Sequence, residues 1–398
     1  MTLTHKILNM TPSATEAMTT TVGNLKRKNI DVIDFSVGEP DFPTPDNIST
    51  TAIQAINEHF TKYTAVSGIY ELRQAVCEKF KDDNQVTYTP EEVMISTGAK
   101  QTLFNAIFTL CEEGDEVIIP APCWVSYVEM VKLAGATPVI VPLHEEDGFQ
   151  LDVEEITRCI TEKTKMIIIN NPNNPTGTVY RKKDLKQLAD VLMKNNIYIL
   201  SDEVYEKLVY QDNKHLCMAS FMANNRSLLL LVNGVSKSYS MTGWRIGYIG
   251  ADKAIISAMD GVQGHVTSSA NSIAQKAALE ALTGSQQSVT IMQKEFERRK
   301  NIMVQLVREI PLWDLSVEPE GAFYVFPNVS KMFGRTGKGI RINDSVDVVE
   351  YLLEVAHVAV VPGSAFEASG HIRLSYSNSL DNIKQGMQRI KDAILLLD

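Results

Sequence analysis

The sequence predicts an α/β protein in which a large domain with a mainly parallel sheet, covered on both faces, is followed by a smaller α+β domain. Two observations predict the large domain. Strand and helix patterns alternate from about residue 93, and the strand patterns are nearly continuous apolar runs. After about residue 270 the alternation gives way to long helical patterns among short strands, which indicates the second domain.

The beginning of the chain lacks a clear periodic pattern. Residues 1 to about 45 are expected to form an irregular arm that includes a short strand, DVIDFSV, and leads into the turn-rich segment GEPDFPTPDN. Pro40, Pro43 and Pro45 exclude regular structure in that segment. A helix should follow, with Asn47 or Ser49 as its N-cap.

The large domain is predicted from a series of short apolar runs separated by helical patterns. The predicted strands are EVMIS, DEVIIPA, TPVIVPL, KMIIIN, IYILSD, LLLLVNG and WRIGYIG, and the helices between them are AKQTLFNAIFTLC, SYVEMVKLAG and RKKDLKQLADVLMKNN. In parallel sheets of this kind, ligands bind beyond the carboxyl ends of the strands. Polar residues that directly follow a strand are therefore the candidates for chemistry.

The smaller domain is predicted from the last part of the chain. Its helices are SIAQKAALEALTG, SVTIMQKEFERRKNIMVQLVREI, SVDVVEYLLEVA and LDNIKQGMQRIKDAILLL, and its strands are GAFYVFPNV, VAVVPG and HIRLSYS. The predicted division is an N-terminal arm that also completes the small domain (1–47), a large domain (48–285) and the small domain proper (286–398).

Composition excludes several classes of function. The net charge of −10 argues against a nucleic-acid-binding surface, and the one basic cluster, ERRK at 297–300, is expected on a solvated helix face. No apolar run reaches the length of a membrane span, and the N-terminus lacks the apolar core of a secretory signal. Neither the seven histidines nor the five cysteines show metal-ligand spacing, and the scattered cysteines fit reduced thiols in a cytosolic protein.

Lys237 is the strongest candidate for covalent chemistry. It follows the apolar run LLLLVNG in the segment SKSYSMTGWRIGY, and Arg245 comes shortly after it. A lysine screened from water can lose its proton and form a Schiff base with an aldehyde. An arginine nearby can hold a phosphate. An aldehyde together with a phosphate suggests pyridoxal 5'-phosphate, although an isolated lysine of this kind more often lies at a surface turn.

Two further strand ends carry polar residues that suit the same cofactor. Asn174 lies in NPNNPTG after KMIIIN and can donate a hydrogen bond to a phenolate oxygen; the same residues also fit a simple Pro/Gly turn. Asp202 ends IYILSD, and a carboxylate there could keep a pyridine nitrogen protonated, with Tyr205 bonding the ring oxygen. An Asp N-cap followed by a core tyrosine is the structural alternative.

The remaining candidates are weaker when taken alone. Gly98 and Ala99, in STGAKQ, offer backbone N–H groups at a helix N-terminus where a phosphate could bind. Trp124 could stack on a planar ring, or it could be a core or interface tryptophan. Arg373, in HIRLSYS, matches the α-carboxylate of an amino acid, or it could form a structural salt bridge.

Taken in order, these motifs resemble those of a known family. GEPDF, NNPNNPTG, SDEVYE, SKSYSMTGWRIGY and RLSYS are similar to the motifs of the fold type I, pyridoxal-phosphate-dependent aminotransferases of class I. Within that family the chain most resembles the bacterial aspartate aminotransferases of subgroup Ib, over about residues 8 to 395. The resemblance implies a large domain with a mainly parallel, seven-stranded sheet and a smaller α+β domain.

The resemblance also implies a role for each matched residue. Lys237 would be the Schiff-base lysine, with Asp202 and Tyr205 as the other catalytic residues. Groups that contact the cofactor would be Tyr63, Gly98, Ala99, Lys100, Trp124, Asn174, Asp202, Tyr205, Ser236, Lys237 and Arg245. Groups that contact the substrate would be Gly38, Lys100, Trp124, Asn174 and Arg373. The match of Tyr63 to a tyrosine that reaches the neighbouring subunit's phosphate implies a homodimer with shared active sites.

Two positions bear on how the family pattern applies here. Many relatives have a phosphate-binding serine three residues before the lysine, where this chain has Gly234, so phosphate binding is expected to depend more on Arg245 and backbone groups. Lys100 matches a lysine that in the bacterial aspartate subgroup contacts the distal carboxylate of dicarboxylic substrates, or it could be a solvated helix lysine. The resemblance therefore implies transfer of the amino group of L-aspartate to 2-oxoglutarate, and a cytoplasmic location is expected.

Other functions on the same fold remain open from the sequence. They are an aminotransferase for aromatic amino acids or prephenate, and a pyridoxal-phosphate-dependent C–S β-lyase acting on cysteine conjugates. A cofactor-binding transcription regulator is disfavoured, because such proteins carry a basic DNA-binding domain and this chain is acidic.

Overall fold

The structure is a computed structural model that describes residues 3–8, 10–222 and 225–398. The helices are, in chain order, α1 (His5–Leu8), α2 (Ala14–Arg27), α3 (Asp46–Asn57), α4 (Tyr70–Asn84), α5 (Gly98–Leu110), α6 (Ser126–Ala134), α7 (Val153–Arg158), α8 (Lys182–Lys194), α9 (Lys253–Val266), α10 (Ser272–Thr283), α11 (Gln287–Arg308), α12 (Ser345–Tyr351) and α13 (Leu380–Ile394). The strands are β1 (Ile33–Asp34), β2 (Val93–Ser96), β3 (Glu116–Ala121), β4 (Thr137–Pro142), β5 (Thr164–Asn170), β6 (Tyr198–Asp202), β7 (Leu229–Gly234), β8 (Gly247–Gly250), β9 (Tyr324–Val325), β10 (Thr336–Gly337), β11 (Ile340–Arg341), β12 (Val358–Ala359), β13 (Val361–Pro362) and β14 (Ile372–Ser375).

A seven-stranded sheet forms the centre of the large domain. Its strand order is β2-β8-β7-β6-β5-β3-β4, and the neighbours from β7 to β4 are parallel, whereas β8 is antiparallel to both β2 and β7. The α/β fold type I architecture with a mainly parallel sheet is thus confirmed.

Both faces of this sheet are buried, as the apolar strand patterns predict. Ile167 and Ile169 of β5 point into one hydrophobic cluster, whereas Met166 and Ile168 point into another. Successive side chains of a strand face opposite sides of a sheet, so the two clusters lie on its two faces. An uninterrupted apolar run is therefore needed to bury each central strand.

The register of the parallel strands brings the candidate residues to one edge. Asn170, the last residue of β5, is the partner of Asp202, the last residue of β6. The Asn170 side chain reinforces this end of the sheet: its Nδ2 donates to the Asp202 carbonyl oxygen (3.0 Å), and its Oδ1 accepts from the backbone N–H of Asn174 (2.8 Å). The turn that contains Asn174 is thereby attached to the strand that carries Asp202.

A second group of elements surrounds a separate core. Helix α11 contacts β9 of the antiparallel sheet β13-β14-β9, α13 packs against α11 and β12, and β1 pairs in parallel with β12 through Ile33 and Val358. Ile33 and Phe35 belong to the same hydrophobic cluster as residues of this C-terminal region. This contact supports the proposed small domain, completed by part of the N-terminal segment; the boundaries at 47 and 285 stay a prediction.

The expectation of an irregular N-terminal arm is wrong for much of its length. Within residues 1–47, of which 1, 2 and 9 lie outside the described part, α2 is a helix of 14 residues capped by the Ser13 side chain. Its threonines obscure the pattern, because β-branched residues disfavour helices. Three of them donate their hydroxyls to backbone carbonyls one turn earlier: Thr19, Thr20 and Thr21.

The predicted N-cap of the next helix is also wrong. Helix α3 begins at Asp46 after Pro45, which supplies no side-chain cap, so Asn47 and Ser49 both lie within the helix. The Asn47 side chain instead donates to Glu280 Oε1 at 2.7 Å, across the contact between α3 and α10. The Asn47 side chain therefore makes a tertiary contact through its amide nitrogen and does not cap the helix.

The basic cluster at 297–300 is not on a solvated face throughout. Arg299 and Lys300 are 7% and 1% exposed. Each has an acidic partner that compensates its burial, because Arg299 Nη1 lies 2.6 Å from Asp41 Oδ1 and Lys300 Nζ lies 3.0 Å from Glu318 Oε1. The Arg299 contact also holds the GEPDF segment against α11.

Several other elements differ from the prediction in extent. The expected strands GAFYVFPNV and VAVVPG are represented by short pairings, β9 and then β12 with β13, and helices α4, α7 and α9 had not been predicted. The expected strand WRIGYIG begins only at Gly247, because Arg245 has a left-handed φ of 58° that ends a helical turn. Among the described residues, no helix is long and apolar enough to cross a membrane.

Candidate active site

A cavity of about 330 Å³ lies where the carboxyl ends of β5 and β6 meet the loop after β7. Most of the candidate residues line it, although they come from distant parts of the chain: Gly38, Ala99, Lys100, Trp124, Asn174, Asp202, Tyr205, Ser236, Lys237, Arg245 and Arg373. Gly98 does not line the cavity, but it lies next to the Arg245 guanidinium. Tyr63 is not part of this wall and is 92% exposed.

Lys237 projects into the cavity from the loop after β7. Its Nζ donates a hydrogen bond to the Gly38 carbonyl oxygen and lies 5.9 Å from the centre of the Tyr205 ring. Burial lowers the pKa of Lys237 to about 8, against the opposing charge of Glu39 and with Arg373 and Arg245 adding to the decrease. A substantial fraction of this amine is neutral near pH 8, so it can act as a nucleophile or a base.

Asp202 is buried at the end of β6 with one strong side-chain partner. The Tyr127 hydroxyl donates to its Oδ2 at 2.6 Å, and the Val204 backbone N–H lies 3.4 Å from its Oδ1. Burial raises the pKa of Asp202 to about 6, although the Tyr127 hydrogen bond opposes the rise. The carboxylate can therefore accept a strong hydrogen bond from a cationic ring nitrogen in the cavity.

Arg373 enters the same cavity from β14 and is 1% exposed. Its Nη1 donates to Asn174 Oδ1 at 3.0 Å and its Nη2 to the Ser36 carbonyl oxygen at 2.7 Å, whereas its Nε has no partner among the described residues. Both acceptors are neutral, and no carboxylate of the described residues forms an ion pair with this buried cation, which suits a site for a carboxylate. Because the Asn174 carbonyl oxygen is occupied, its amide nitrogen is the group that can donate into the cavity.

Arg245 and the first turn of α5 form a second cationic position. Arg245 Nη1 donates to the Thr242 carbonyl oxygen at 2.8 Å, and a Cβ added to Gly98, whose φ is +82°, would lie 2.3 Å from Arg245 Nη2. A Cβ on Gly247 would lie 2.2 Å from the backbone nitrogen of Ala99. Glycine at both positions brings the guanidinium and the N-terminal amides of α5 close together, which is the arrangement of a phosphate-binding site.

Lys100 lies at the mouth of the cavity. Its Nζ is 5.2 Å from the centre of the Trp124 ring and 3.4 Å from Glu16 Oε1, on helix α2. Both members of this ion pair are solvent-exposed, so the pair is weak and can exchange for another carboxylate.

Two tyrosines of the cavity wall had not been predicted. Tyr127 bonds Asp202 and packs edge-on against Trp124, with ring centres 5.3 Å apart. Tyr324 has its hydroxyl oxygen 2.8 Å from that of Tyr205. The spacing of Trp124 and Tyr127 on one turn was the available signal for the first, whereas Tyr324 lies within the apolar run GAFYVFPNV and had none.

The residues present fit pyridoxal phosphate. The cavity contains the Lys237 amine with its lowered pKa, the buried Asp202 carboxylate and the Trp124 indole ring. It also contains Arg245, which lies so close to the first turn of α5 that a side chain at Gly98 would clash with it. These are the groups needed to hold an aldehyde, a ring nitrogen, an aromatic face and a phosphate, respectively. Arg373, whose Nε has no partner in the described part of the chain, suits a substrate carboxylate.

Comparison with known proteins gives matches over nearly the whole chain. Residues 30–390 match the family model described as aminotransferase class I and II. An aspartate aminotransferase of Bacillus sp. (strain YM-2) is 44% identical, and a probable aspartate/prephenate aminotransferase of Aquifex aeolicus is 43% identical; each match covers 98% of both chains. The structure of Thermus thermophilus aspartate aminotransferase with maleate superimposes with a TM-score of 0.93, at 39% identity over 99% of this chain and 100% of that one.

Proposed function

Because the chain belongs to the class I and II aminotransferase family, whose members use pyridoxal phosphate and act on amino acids and 2-oxo acids, we propose that it is an aspartate transaminase. It transfers the amino group of L-aspartate to 2-oxoglutarate, giving oxaloacetate and L-glutamate. The observation that carries this choice of substrate is the second cation, Lys100, at the mouth of a cavity whose base already holds Arg373.

The covalent and proton-transfer roles fall to Lys237. Pyridoxal phosphate, when bound, supplies an aldehyde that condenses with amines and a ring that delocalises the electrons left at the substrate Cα. Lys237 Nζ would hold the cofactor and, when it is not bonded to the cofactor, would accept the proton from the substrate Cα as general base. Its lowered pKa supports this role, since a general base works best when its pKa is near the working pH. The first 2-oxo acid leaves before the second binds, so we expect ping-pong kinetics.

The other cofactor contacts follow from the partners of each side chain. Asp202 would hold the ring nitrogen in its protonated form, while Tyr205 and the Asn174 amide would donate to the ring oxygen. Trp124 would stack on the ring. The phosphate would be bound by Arg245, Ser236 and the backbone of Gly98 and Ala99. The clash that a side chain at Gly98 would make with the Arg245 guanidinium supports this position for the phosphate.

The proposed substrate contacts use Arg373, Lys100 and a backbone group. Arg373 binds the α-carboxylate through its paired N–H groups, and Gly38 contributes its backbone beside Lys237. Lys100 binds the distal carboxylate of aspartate or glutamate and exchanges its weak contact with Glu16 for it.

Prephenate or an aromatic amino acid is the second candidate substrate. Relatives at 42–43% identity are named probable aspartate/prephenate aminotransferases, and the match to them is as long as the match to the aspartate enzymes. Prephenate also carries a second carboxylate, so Lys100 suits it as well.

We also propose a homodimer with shared active sites and a cytoplasmic location. The exposed position of Tyr63 supports the first, because a tyrosine that serves the partner subunit's site would lie outside its own. The five free cysteines support the second, since cytoplasmic thiols stay reduced.

The visible absorbance of the purified holoprotein tests the proposed function. We expect the band of the lysine-bound cofactor to disappear on addition of L-aspartate and to return with 2-oxoglutarate, and Lys237→Ala to abolish turnover. L-Phenylalanine and prephenate are measured in parallel, the latter as amino acceptor. If only phenylalanine changes the absorbance, the amino donor is aromatic and not aspartate. If prephenate is aminated efficiently and oxaloacetate is not, prephenate is the substrate. Release of pyruvate from cysteine conjugates without an acceptor would indicate the lyase.

A further inference from the structure

Tyr324 contacts three separate groups of the candidate active site. It is 1% exposed on β9, and its hydroxyl oxygen lies 2.8 Å from that of Tyr205. The Arg373 guanidinium carbon lies 4.4 Å from the centre of the Tyr324 ring. A Cβ added to Gly38, whose carbonyl accepts from Lys237, would lie 2.8 Å from the Tyr324 hydroxyl. Tyr324 therefore contacts residues proposed to bind the cofactor and residues proposed to bind the substrate.

If Tyr205 donates a hydrogen bond to the cofactor, only one donor is possible in the hydrogen bond between the Tyr205 and Tyr324 hydroxyls. Burial raises the pKa of both phenols, so each oxygen keeps one hydrogen. In the pair as it stands, either oxygen can be the donor. If the Tyr205 hydrogen is directed to the cofactor's ring oxygen, the hydrogen between the two tyrosines must come from Tyr324.

We propose that Tyr324 is a positioning residue that donates its hydroxyl hydrogen to Tyr205 and so strengthens the hydrogen bond from Tyr205 to the cofactor's ring oxygen, while its ring supports Arg373. This inference rests on the role proposed above for Tyr205. Hydrogen bonds in a chain polarise one another, so a hydroxyl that accepts a hydrogen bond is a better donor. The stacked ring favours the guanidinium by a cation–π interaction.

Tyr324 would thereby connect cofactor and substrate across the two proposed domains. It belongs to the C-terminal region with Arg373, on the neighbouring strand β14, whereas Tyr205 follows β6 of the large sheet. Its two functions depend on different atoms. Phenylalanine would keep the ring under Arg373 and remove only the donor, so the two functions can be tested separately.

The first test follows the pH at which the visible absorbance of the bound cofactor changes. A donor to the ring oxygen favours loss of the Lys237 nitrogen's proton, so we expect Tyr324→Phe to raise the midpoint by roughly half to one pH unit. The dissociation constant of maleate, an unreactive dicarboxylate, should stay within about twofold because the ring remains. Tyr324→Leu should raise the midpoint similarly, and it should also raise the dissociation constant of maleate by about fivefold or more.

Tyr351→Phe is the matched control. Tyr351 is buried in the same region, and its hydroxyl donates to the Ala393 carbonyl oxygen at 2.7 Å, away from the cavity. We expect this variant to leave the midpoint and the maleate affinity unchanged. A shift equal to that of Tyr324→Phe would overturn the inference, because general loosening of the region would explain both.

A double variant tests whether Tyr324 acts through Tyr205. Tyr205→Phe alone should raise the midpoint, and adding Tyr324→Phe to it should cause no further rise. An undiminished second shift, or an unchanged midpoint in Tyr324→Phe, would overturn the inference while leaving the aminotransferase assignment intact. Failure of the wild-type protein to show a cofactor band would instead overturn the proposed function and the inference with it.

Discussion

Asp202 is subject to two opposing influences at the residue scale. Burial raises its pKa to about 6, and the Tyr127 hydroxyl, 2.6 Å away, opposes the rise. At neutral pH the carboxyl is mostly ionised, which is the form that stabilises a protonated ring nitrogen. Tyr127 thus helps to keep Asp202 in its useful state as well as fixing its direction.

The first prediction concerns this charge. Asp202→Asn keeps the size of the side chain but removes the negative charge, so the ring nitrogen loses its proton and the electron sink is weakened. We expect kcat to fall by at least about 100-fold, the scale of losing one preorganised electrostatic partner. Retention of the visible cofactor band would show that the variant still binds the cofactor. A kcat within threefold of wild type would contradict the assignment.

The second prediction separates the two substrate-binding cations. Lys100→Ala removes the partner of the distal carboxylate only, so the KM for aspartate should rise by roughly 10-fold or more while that for alanine stays nearly unchanged. Arg373→Ala is the matched comparison, because every amino acid has an α-carboxylate and all KM values should rise together. Steady-state kinetics with both substrates measure this. Equal losses for aspartate and alanine in Lys100→Ala would exclude its role in specificity.

At this scale the sequence predicted the residues that follow strands and missed those that support them. Asp202 and Asn174 could be found because each ends an apolar run or lies in a Pro-rich turn. Tyr324 could not, because an aromatic residue within an apolar pattern is indistinguishable from a core residue until its hydroxyl has a partner. Tyr127 had one signal, its spacing from Trp124 on one turn.

At the scale of elements, the loop after β6 is anchored by a buried ion pair on the side away from the cavity. Lys79 of α4 pairs with Glu206, and the Asn84 amide donates to Glu206 Oε2 at 2.7 Å. His215 Nε2 lies 2.7 Å from Glu203 Oε2. Because Asp202 and Tyr205 lie on the same loop, these contacts fix the position of both.

The third prediction concerns that anchor. Lys79→Met removes the ammonium group paired with the buried Glu206 carboxylate, so the free energy of unfolding should fall by about 3 kcal/mol or more. The double variant Lys79→Met with Glu206→Gln removes the uncompensated charge and should recover much of the loss. Denaturant titration measures both. No difference between the single and the double variant would mean that the pair does not stabilise the loop.

The fourth prediction is the pH dependence of the same pair. Burial alone would raise the pKa of Glu206, but the charges of Lys79 and His215 overcome it and lower the pKa to about 2, from an ordinary 4.5. A carboxyl with a lowered folded-state pKa stabilises the protein above pH 4.5, and this stabilisation is lost as the pH falls toward 2. The melting temperature should therefore decrease less steeply below pH 4.5 in Lys79→Met than in the wild type.

Among the elements, strong periodic patterns predicted well and helix ends did not. The apolar runs predicted every strand of the central sheet, because burial on both faces requires an uninterrupted run. Helix α2 was missed because its threonines satisfy their hydroxyls locally, and the start of α3 because Asn47 is used in a contact with α10. The contact with α10 joins residues far apart in the sequence, so no local pattern contains it.

The fifth prediction belongs to the whole molecule. In a dimer with shared sites, a subunit with Tyr63→Ala and a subunit with Lys237→Ala together form one site in which both residues are intact. Random mixing should restore about a quarter of wild-type activity, since about half of the dimers are mixed and each has one intact site. Refolding or coexpression of the two variants, followed by an activity assay, measures this.

The control for this experiment uses two residues of one site. Mixing Lys237→Ala with Asp202→Asn subunits should restore nothing, because each mixed site keeps one defect. If Tyr63 acted within its own subunit, the first mixture would likewise gain no activity beyond that of the Tyr63→Ala protein alone. Light scattering of the wild type would give the mass of the assembly.

The overall architecture was predictable because it follows from the order of short-range patterns. The alternation of strands and helices specifies a parallel sheet, and its carboxyl edge specifies where ligands bind. The pairing of β1 with β12 was predicted only as a general completion of the small domain, because the two-residue strands carry too little pattern to identify a partner.

This pairing has a consequence for the synthesis of the protein. Ile33 emerges from the ribosome long before Val358, its partner in the sheet. At roughly 5–20 residues per second, the N-terminal strand waits about 15–65 s for the segment that covers it. The large sheet, whose strands end at Gly250, can form during that interval, whereas the C-terminal core cannot close until translation is nearly complete. Nascent chains should therefore expose Ile33 and Phe35 to chaperones for most of their time on the ribosome.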